Sequence, residues 1–255
     1  MWLVLSDMNL TPFESVYHVR GYDCGYGGPL KPLSLADFFQ EAAGDHATRL
    51  GVGMERMFSL GRTWMLARID IRIEALPRTG DEVTVRTWPA GTDRIFAMRC
   101  LELLDAQGNR LAGALYNYFI YDMVQRRPLR PERILDPAMK FDRPHPFPDL
   151  TPGLQDLAWD EEPWLPAFSL DVGPRHIDNN GHVNNAHFVE WLCDAVPPES
   201  RGSGETARIT VDFISEAKAG ERVEAFFRPA PGGEGVLSIL KRDGETIARA
   251  RTLWR

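Results

Sequence analysis

Two copies of one unit follow each other along this chain, and that duplication limits its fold more than any single motif does. Phe13-Glu14-Ser15-Val16-Tyr17-His18-Val19-Arg20-Gly21-Tyr22-Asp23 reads as an extended run ending at an Asp. Adding 155 to each number reaches Phe168 to Asp178, where Phe, Arg and Asp recur in register. A helical pattern follows, with Ser34 and Asp37 as a capping box, Leu35, Phe38, Phe39, Ala42, Ala43 and His46 on one face, and Gly51 as its close. Adding 150 lays Ala36 to Ala42 on Ala186 to Leu192. At an offset of 140, Ile69, Ile71, Ile73, Gly80 and Val83 meet Ile209, Val211, Phe213, Gly220 and Val223, and both runs alternate with the period of a half-buried strand. The last strand pairs turn at Asp105-Ala106-Gln107-Gly108 and at Lys241-Arg242-Asp243-Gly244, 136 apart, where Asp and Gly supply hairpin backbone angles.

Each copy therefore reads as a strand, a helix and an antiparallel meander. A helix with one apolar stripe buries it against the concave face of a curved sheet. The expected fold is α+β: two tandem hot-dog domains, each a curved antiparallel sheet wrapped around a long central helix. The first occupies 1–140 and the second 165–255, joined over 141–164 by a linker whose extended character follows from a run of prolines (Pro137, Pro144, Pro146, Pro148, Pro152, Pro163, Pro166).

Bulk properties narrow the function classes. With 255 residues, 44% hydrophobic and 25% charged, the chain suits a globular protein with a sizeable core. The apolar start Met1-Trp2-Leu3-Val4-Leu5 lacks a basic lead and stops at Ser6-Asp7, too short for a signal core or a membrane span, so a cytoplasmic location is expected. Cys24, Cys100 and Cys193 show neither disulfide nor zinc spacing. A net charge of -7 disfavours a broad nucleic-acid surface.

Chemistry concentrates in Arg175-His176-Ile177-Asp178-Asn179-Asn180-Gly181-His182-Val183-Asn184-Asn185, which runs into an apolar helix of Phe188, Val189, Leu192 and Ala195. Asn184 or Asn185 suits the cap, and Val196-Pro197-Pro198 stops the helix. An Asx-rich turn is the plain reading of such a stretch. Against it, Asp178, Asn180 and His182 alternate so that all three could face one way, whereas the first copy has Gly25 and Gly27-Gly28 there and no His. A fourth candidate, Glu216, falls by the offset of 140 opposite apolar Leu76. A calcium loop is excluded by Val183 and Val189 at its sixth and twelfth positions. The histidines lack zinc spacing, and no nucleophile elbow, phosphate loop or dinucleotide fingerprint occurs, so neither metal nor cofactor is expected.

These residues resemble those of the acyl-ACP thioesterases, which hydrolyse the thioester between a fatty acyl chain and acyl carrier protein. The likeness runs over Tyr22-Asp23, Gln40-Glu41-Ala42-Ala43-Gly44-Asp45-His46-Ala47, Trp64-Met65-Leu66-Ala67-Arg68, Gly80-Asp81, Thr87-Trp88, Arg126-Arg127-Pro128 and Asp178-x-Asn180-x-His182-Val183-Asn184-Asn185. It implies Asp178, Asn180, His182 and Glu216 as catalytic residues. The Cys that often follows that Glu in the family is Ala217 here, which removes a cysteine nucleophile from that position. General-base activation of water by Glu216 is the expected mechanism, with His182 and Asn180 polarising the carbonyl and Asp178 orienting its neighbours; direct carboxylate attack through an anhydride is the second choice. Phe38, Phe39, Trp64 and Met65 are candidates to line an acyl tunnel, although plain core is the commoner role for each. The partner implied is acyl carrier protein with its phosphopantetheine-linked acyl chain. Arg127 and Arg130, in a basic run continued by Lys140 and Arg143, are candidates to receive that acidic protein. Hydrolysis of acyl-coenzyme A and hydration or dehydration of an enoyl thioester are the alternatives. Two fused copies already supply the usual hot-dog dimer, which leaves a homodimer of the intact chain possible through edge strands or helices.

Overall fold

A computed structural model describes residues 11–136, 139, 144–147, 154, 157, 159, 163–201 and 204–255. Of the residues read above as linker or basic patch, Pro137, Lys140, Arg143, Pro148 and Pro152 lie outside the described residues. Among those described, eleven strands form one antiparallel sheet. The first copy supplies β1 (Phe13–His18), β2 (Arg62–Ile73), β3 (Glu82–Asp93), β4 (Phe96–Leu104), β5 (Arg110–Asp122) and β6 (Arg127–Leu129); the second supplies β7 (Leu165–Asp171), β8 (Thr206–Phe213), β9 (Arg222–Pro229), β10 (Val236–Arg242) and β11 (Glu245–Trp254). The order is β1-β3-β4-β5-β2-β8-β11-β10-β9-β7, with β6 added to β5.

The halves meet where β2 pairs with β8, and the register there is symmetric: Asp70 lies opposite Thr210, its own counterpart in the other copy, with Ile69 opposite Val211 and Ile71 opposite Ile209. The seam carries buried charge. Asp70, 1% exposed, accepts from Arg208 Nε at 2.9 Å and from the Thr210 hydroxyl at 3.1 Å, and Asp212 accepts from Arg249 at 2.9 Å and also pairs with Arg68. Carboxylates taken from water are tolerated when paired and hydrogen-bonded, as both are here.

One helix from each copy covers the sheet. In α1 (Pro32–Arg49) the buried face of Leu35, Phe39, Ala42 and Ala43 belongs to the same core as Val83, Val85, Leu101 and Leu103. In α3 (Asn185–Asp194) Phe188, Val189 and Leu192 share that core with Ile209, Val211, Ala225 and Leu240. A short α2 (Met54–Ser59) follows α1 in the first copy. Helix α3 ends after ten residues, with Pro197 and Pro198 just beyond its Ala195 cap.

Backbone bonds correct the repeat register read from the sequence. Val19 and Val172 make the same pair of bonds, to Asp81 and Gly80 in one copy and to Glu221 and Gly220 in the other; the Cys24–Leu30 and Ile177–Val183 bridges also correspond. The offset is therefore 153 from β1 through the helix, instead of 155 falling to 150; 140 holds for β2 and β3 and 136 for β5, while β4 and β10 stand 137 apart. Asp23 is matched by His176, and each side chain accepts the backbone N–H three residues before it, from Arg20 at 2.8 Å and from Gly173 at 3.0 Å. Opposite Asp178, Asn180 and His182 then stand Gly25, Gly27 and Pro29. The capping box at Ser34 and Asp37 is not formed either: Lys31 is the cap, Pro32 opens the helix, and Ser34 is buried in its first turn.

Candidate active site

Asp178 to His182 form a loop closed at its base by the Ile177–Val183 bridge and by Asp178 N–H donating to His182 O at 2.8 Å. Gly181 turns the loop at φ 80, a left-handed backbone that glycine adopts without strain. At its foot Val183 N–H donates to Ala217 O at 2.8 Å, which sets His182 next to Glu216. The four polar residues arrive as two pairs. Asp178 Oδ1 accepts from Asn180 N–H at 2.8 Å, and the Asn180 amide nitrogen is 3.3 Å from Asp178 Oδ2. His182 Nε2 stands 3.0 Å from Glu216 Oε2, and Lys218 Nζ is 3.2 Å from Glu216 Oε1. The His182 and Glu216 side chains are 35% and 44% exposed, so solvent water reaches them.

A cavity of about 920 Å³ runs between α1 and the sheet of the first copy. Phe38, Ala43, Ala47, Leu50, Met54, Trp64 and Leu66 give it an apolar wall, and Asp178, Asn180, Asn184 and Asn185 of the second copy border it. Its size and composition suit an apolar ligand with a few polar anchors. Of the four aromatic and Met candidates, Phe38 and Trp64 line the cavity. Phe39 and Met65 do not. Phe39 is wholly buried edge-on to Tyr116 on the core side of α1, and Met65 is 37% exposed, because neighbours on a strand face opposite ways and Trp64 and Leu66 take the inner side. Arg127 and Arg130 are exposed around β6, and the next residues, Glu132 and Leu135, reach the cavity wall.

Several groups on the two long helices carry shifted acidities. His46, 5% exposed and stacked on Phe13, is held down to about 3 by burial and by the Arg99 and Arg49 charges. Its Nδ1 is 3.0 Å from Arg99 Nη1, so neutral His46 accepts from that guanidinium. Burial raises the Asp37 carboxyl above its ordinary range, a shift the Asn184 hydrogen bond opposes. The Cys193 thiol, buried in α3, is pushed up by burial, which suits a packing residue instead of a nucleophile. Sequence reasoning missed one connection. Asn184 caps α3 through Ala186 N–H at 3.0 Å, yet it also bonds Gln40 at 2.9 Å and Asp37 at 3.1 Å on α1 of the other copy. Local spacing reveals a cap but not a partner so far along the chain.

Known proteins share this architecture. The model of the acyl-ACP thioesterase N-terminal domain matches residues 11–138, and that of the C-terminal domain matches residues 168–255. A chloroplastic acyl-[acyl-carrier-protein] hydrolase of Cuphea viscosissima is 24% identical over 260 residues, covering 95% of this chain, which spans 62% of that relative's length. A chloroplastic oleoyl-acyl carrier protein thioesterase of Arabidopsis thaliana is 26% identical over 253 residues, with 94% and 69% of the two chains covered. In fold, the chain is similar to the crystal structure of an acyl-ACP thioesterase from Bacteroides thetaiotaomicron (TM-score 0.81, 21% identity, 96% and 98% covered). It is equally similar to a 12:0-ACP thioesterase from Umbellularia californica (TM-score 0.80, 21% identity, 96% and 97% covered). With both domain models matched in sequence along most of its length, the chain belongs to the acyl-ACP thioesterase family.

Proposed function

We propose that this protein hydrolyses fatty acyl thioesters of acyl carrier protein to the free fatty acid and the carrier thiol. What carries the reading is the contact of 3.0 Å between Glu216 and His182, the latter on the loop whose Asp178 and Asn180 border the apolar cavity. The acyl tail lies in that cavity, where each buried methylene contributes about 0.8 kcal/mol, and the thioester rests beside the loop. Glu216 takes a proton from water as the oxygen attacks the carbonyl carbon. The carbonyl becomes an oxyanion, to which the Asn180 amide donates, held in orientation by Asp178. Collapse of the adduct breaks the C–S bond and expels the thiolate, a good leaving group that needs little acid help. Because Nε2 of His182 is turned to Glu216, its role is assigned to orienting the base.

Carrier protein is favoured over coenzyme A as donor because exposed Arg127 and Arg130 lie next to the segment that walls the cavity, where they would steer an acidic partner. Thiol release on acyl-ACP and acyl-coenzyme A of several chain lengths tests the proposal. Faster release from acyl-ACP is expected; water addition to an enoyl thioester without thiol release would replace hydrolysis with the hydratase reading.

A further inference from the structure

We infer that Asn184 is a positioning residue that pins the loop of Asp178, Asn180 and His182 to helix α1, so that the reaction centre is completed across the two copies. The inference rests on the function proposed above. One residue makes these connections. Its Oδ1 accepts from Gln40 Nε2 at 2.9 Å and from Ala186 N–H at 3.0 Å, its Nδ2 donates to Asp37 Oδ1 at 3.1 Å, and its backbone N–H donates to His176 O at 2.9 Å. A helix cap needs only the acceptor, which Ser, Thr or Asp supplies as well. Asn alone among these carries an acceptor oxygen and a separate donor nitrogen on one planar group, so it can accept from Gln40 and donate to Asp37 at once.

The first copy shows that the fold does not require a side-chain cap here. Lys31 stands at the matching position, and its side chain caps nothing. Asp37 and Gln40 also border the cavity alongside Asp178 and Asn180, so the network lies where substrate passes instead of deep in the core. Polar groups in such a part-buried place hold one arrangement when satisfied and cost stability when not. Two residues before Asn184 lies His182, with Val183 between them tied to the Glu216 segment through Ala217 O. A shift of the Asn184 anchor is therefore passed to the His182–Glu216 pair.

The test combines thiol release from an acyl-ACP with hydrogen exchange at the Asp178 and Gly181 amides, which close the loop. Asn184→Ser keeps a cap oxygen but loses Gln40 and Asp37. It is expected to lower kcat on the order of 10–100-fold, the cost of a small misplacement, with KM nearly unchanged. Asn184→Asp sets a carboxylate against Asp37 and is expected to lose similar ground, whereas adding Asp37→Asn exchanges donor and acceptor and should return kcat and loop protection to within about threefold of wild type, since charge and pairing are restored. Wild-type turnover in Asn184→Ser, or an exchange variant that folds but recovers neither kcat nor protection, would overturn the inference. Should the exchange variant not fold, Gln40→Ala carries the test, because it leaves the cap intact: a fall in kcat of fivefold or more is expected, and a smaller one overturns it. A wild-type protein that releases no thiol defeats the proposed function, and the exchange data then still judge the anchoring by themselves.

Discussion

Glu216 occupies in the second copy the position that Leu76 occupies in the first: Ala217 and Pro77, each one residue on, accept the corresponding backbone bonds from Val183 and Leu30. Leu76 packs against the core, and Glu216 instead reaches His182. Exposed ion pairs such as those of Glu216 are worth roughly 0–1 kcal/mol. Glu216→Leu, which copies the first half, is therefore expected to unfold at no lower temperature than wild type while thiol release falls about 10²–10⁴-fold. Thermal unfolding and a turnover assay on the same sample check both parts.

Charge reversal at Arg127 and Arg130 probes the partner surface. Both side chains are exposed, and steering by such charges weakens with salt. The double variant Arg127→Glu with Arg130→Glu should lower kcat/KM for acyl-ACP about tenfold at low salt and flatten its salt dependence. An uncharged acyl-pantetheine thioester should be cleaved as by wild type. Equal effects on both substrates would remove these arginines from the docking surface.

His46 predicts a pH dependence of stability. Its pKa is about 3 in the folded protein, against an ordinary value near 6.5 when the chain is unfolded. Between those values the unfolded chain binds the proton and the native state does not, so this group's contribution is present above the unfolded value and is lost as pH falls toward the folded one. Denaturant melts from pH 6.5 to pH 3 should show a flatter decline for His46→Gln, which does not titrate and keeps an acceptor for Arg99, than for wild type.

Gly113 on β5 marks where the connecting segment crosses the outer face of the sheet. A Cβ there would lie 2.6 Å from Phe147 Cε2 and 2.9 Å from Pro146 Cβ. Phe147 cannot yield freely, being 4% exposed and held under Arg110 and Arg72 at 4.0 and 4.6 Å. Gly113→Ala should cost about 1–3 kcal/mol, the usual price of overpacking, read as a lower denaturation midpoint.

The meander was legible because glycines and alternating apolar residues fix strand register, and the offsets of 140 and 136 survive in the backbone bonds. In the first third, residue identity hides the repeat register: Asp23 and His176 differ in type yet accept the corresponding backbone N–H of the same turn. Trp64 and Met65 cannot both line the cavity, because strand alternation turns adjacent residues to opposite sides. Phe38 and Phe39 share a helical stripe, and only the position of the sheet decides which of them meets the cavity. The bridge from Asn184 to Gln40 joins residues 144 apart, a relation that no local pattern encodes.

Under the proposed function the two halves divide the labour, tail cavity in the first and bond cleavage in the second, and chain-length profiles of two variants test that division most directly. Ala47→Phe fills the cavity wall and should abolish turnover of long acyl-ACPs while short ones are cleaved at close to the wild-type rate. Glu216→Gln should lower the rate at every length by the same factor. If Ala47→Phe slows all lengths alike, or Glu216→Gln leaves the rates unchanged, the two halves do not work as described.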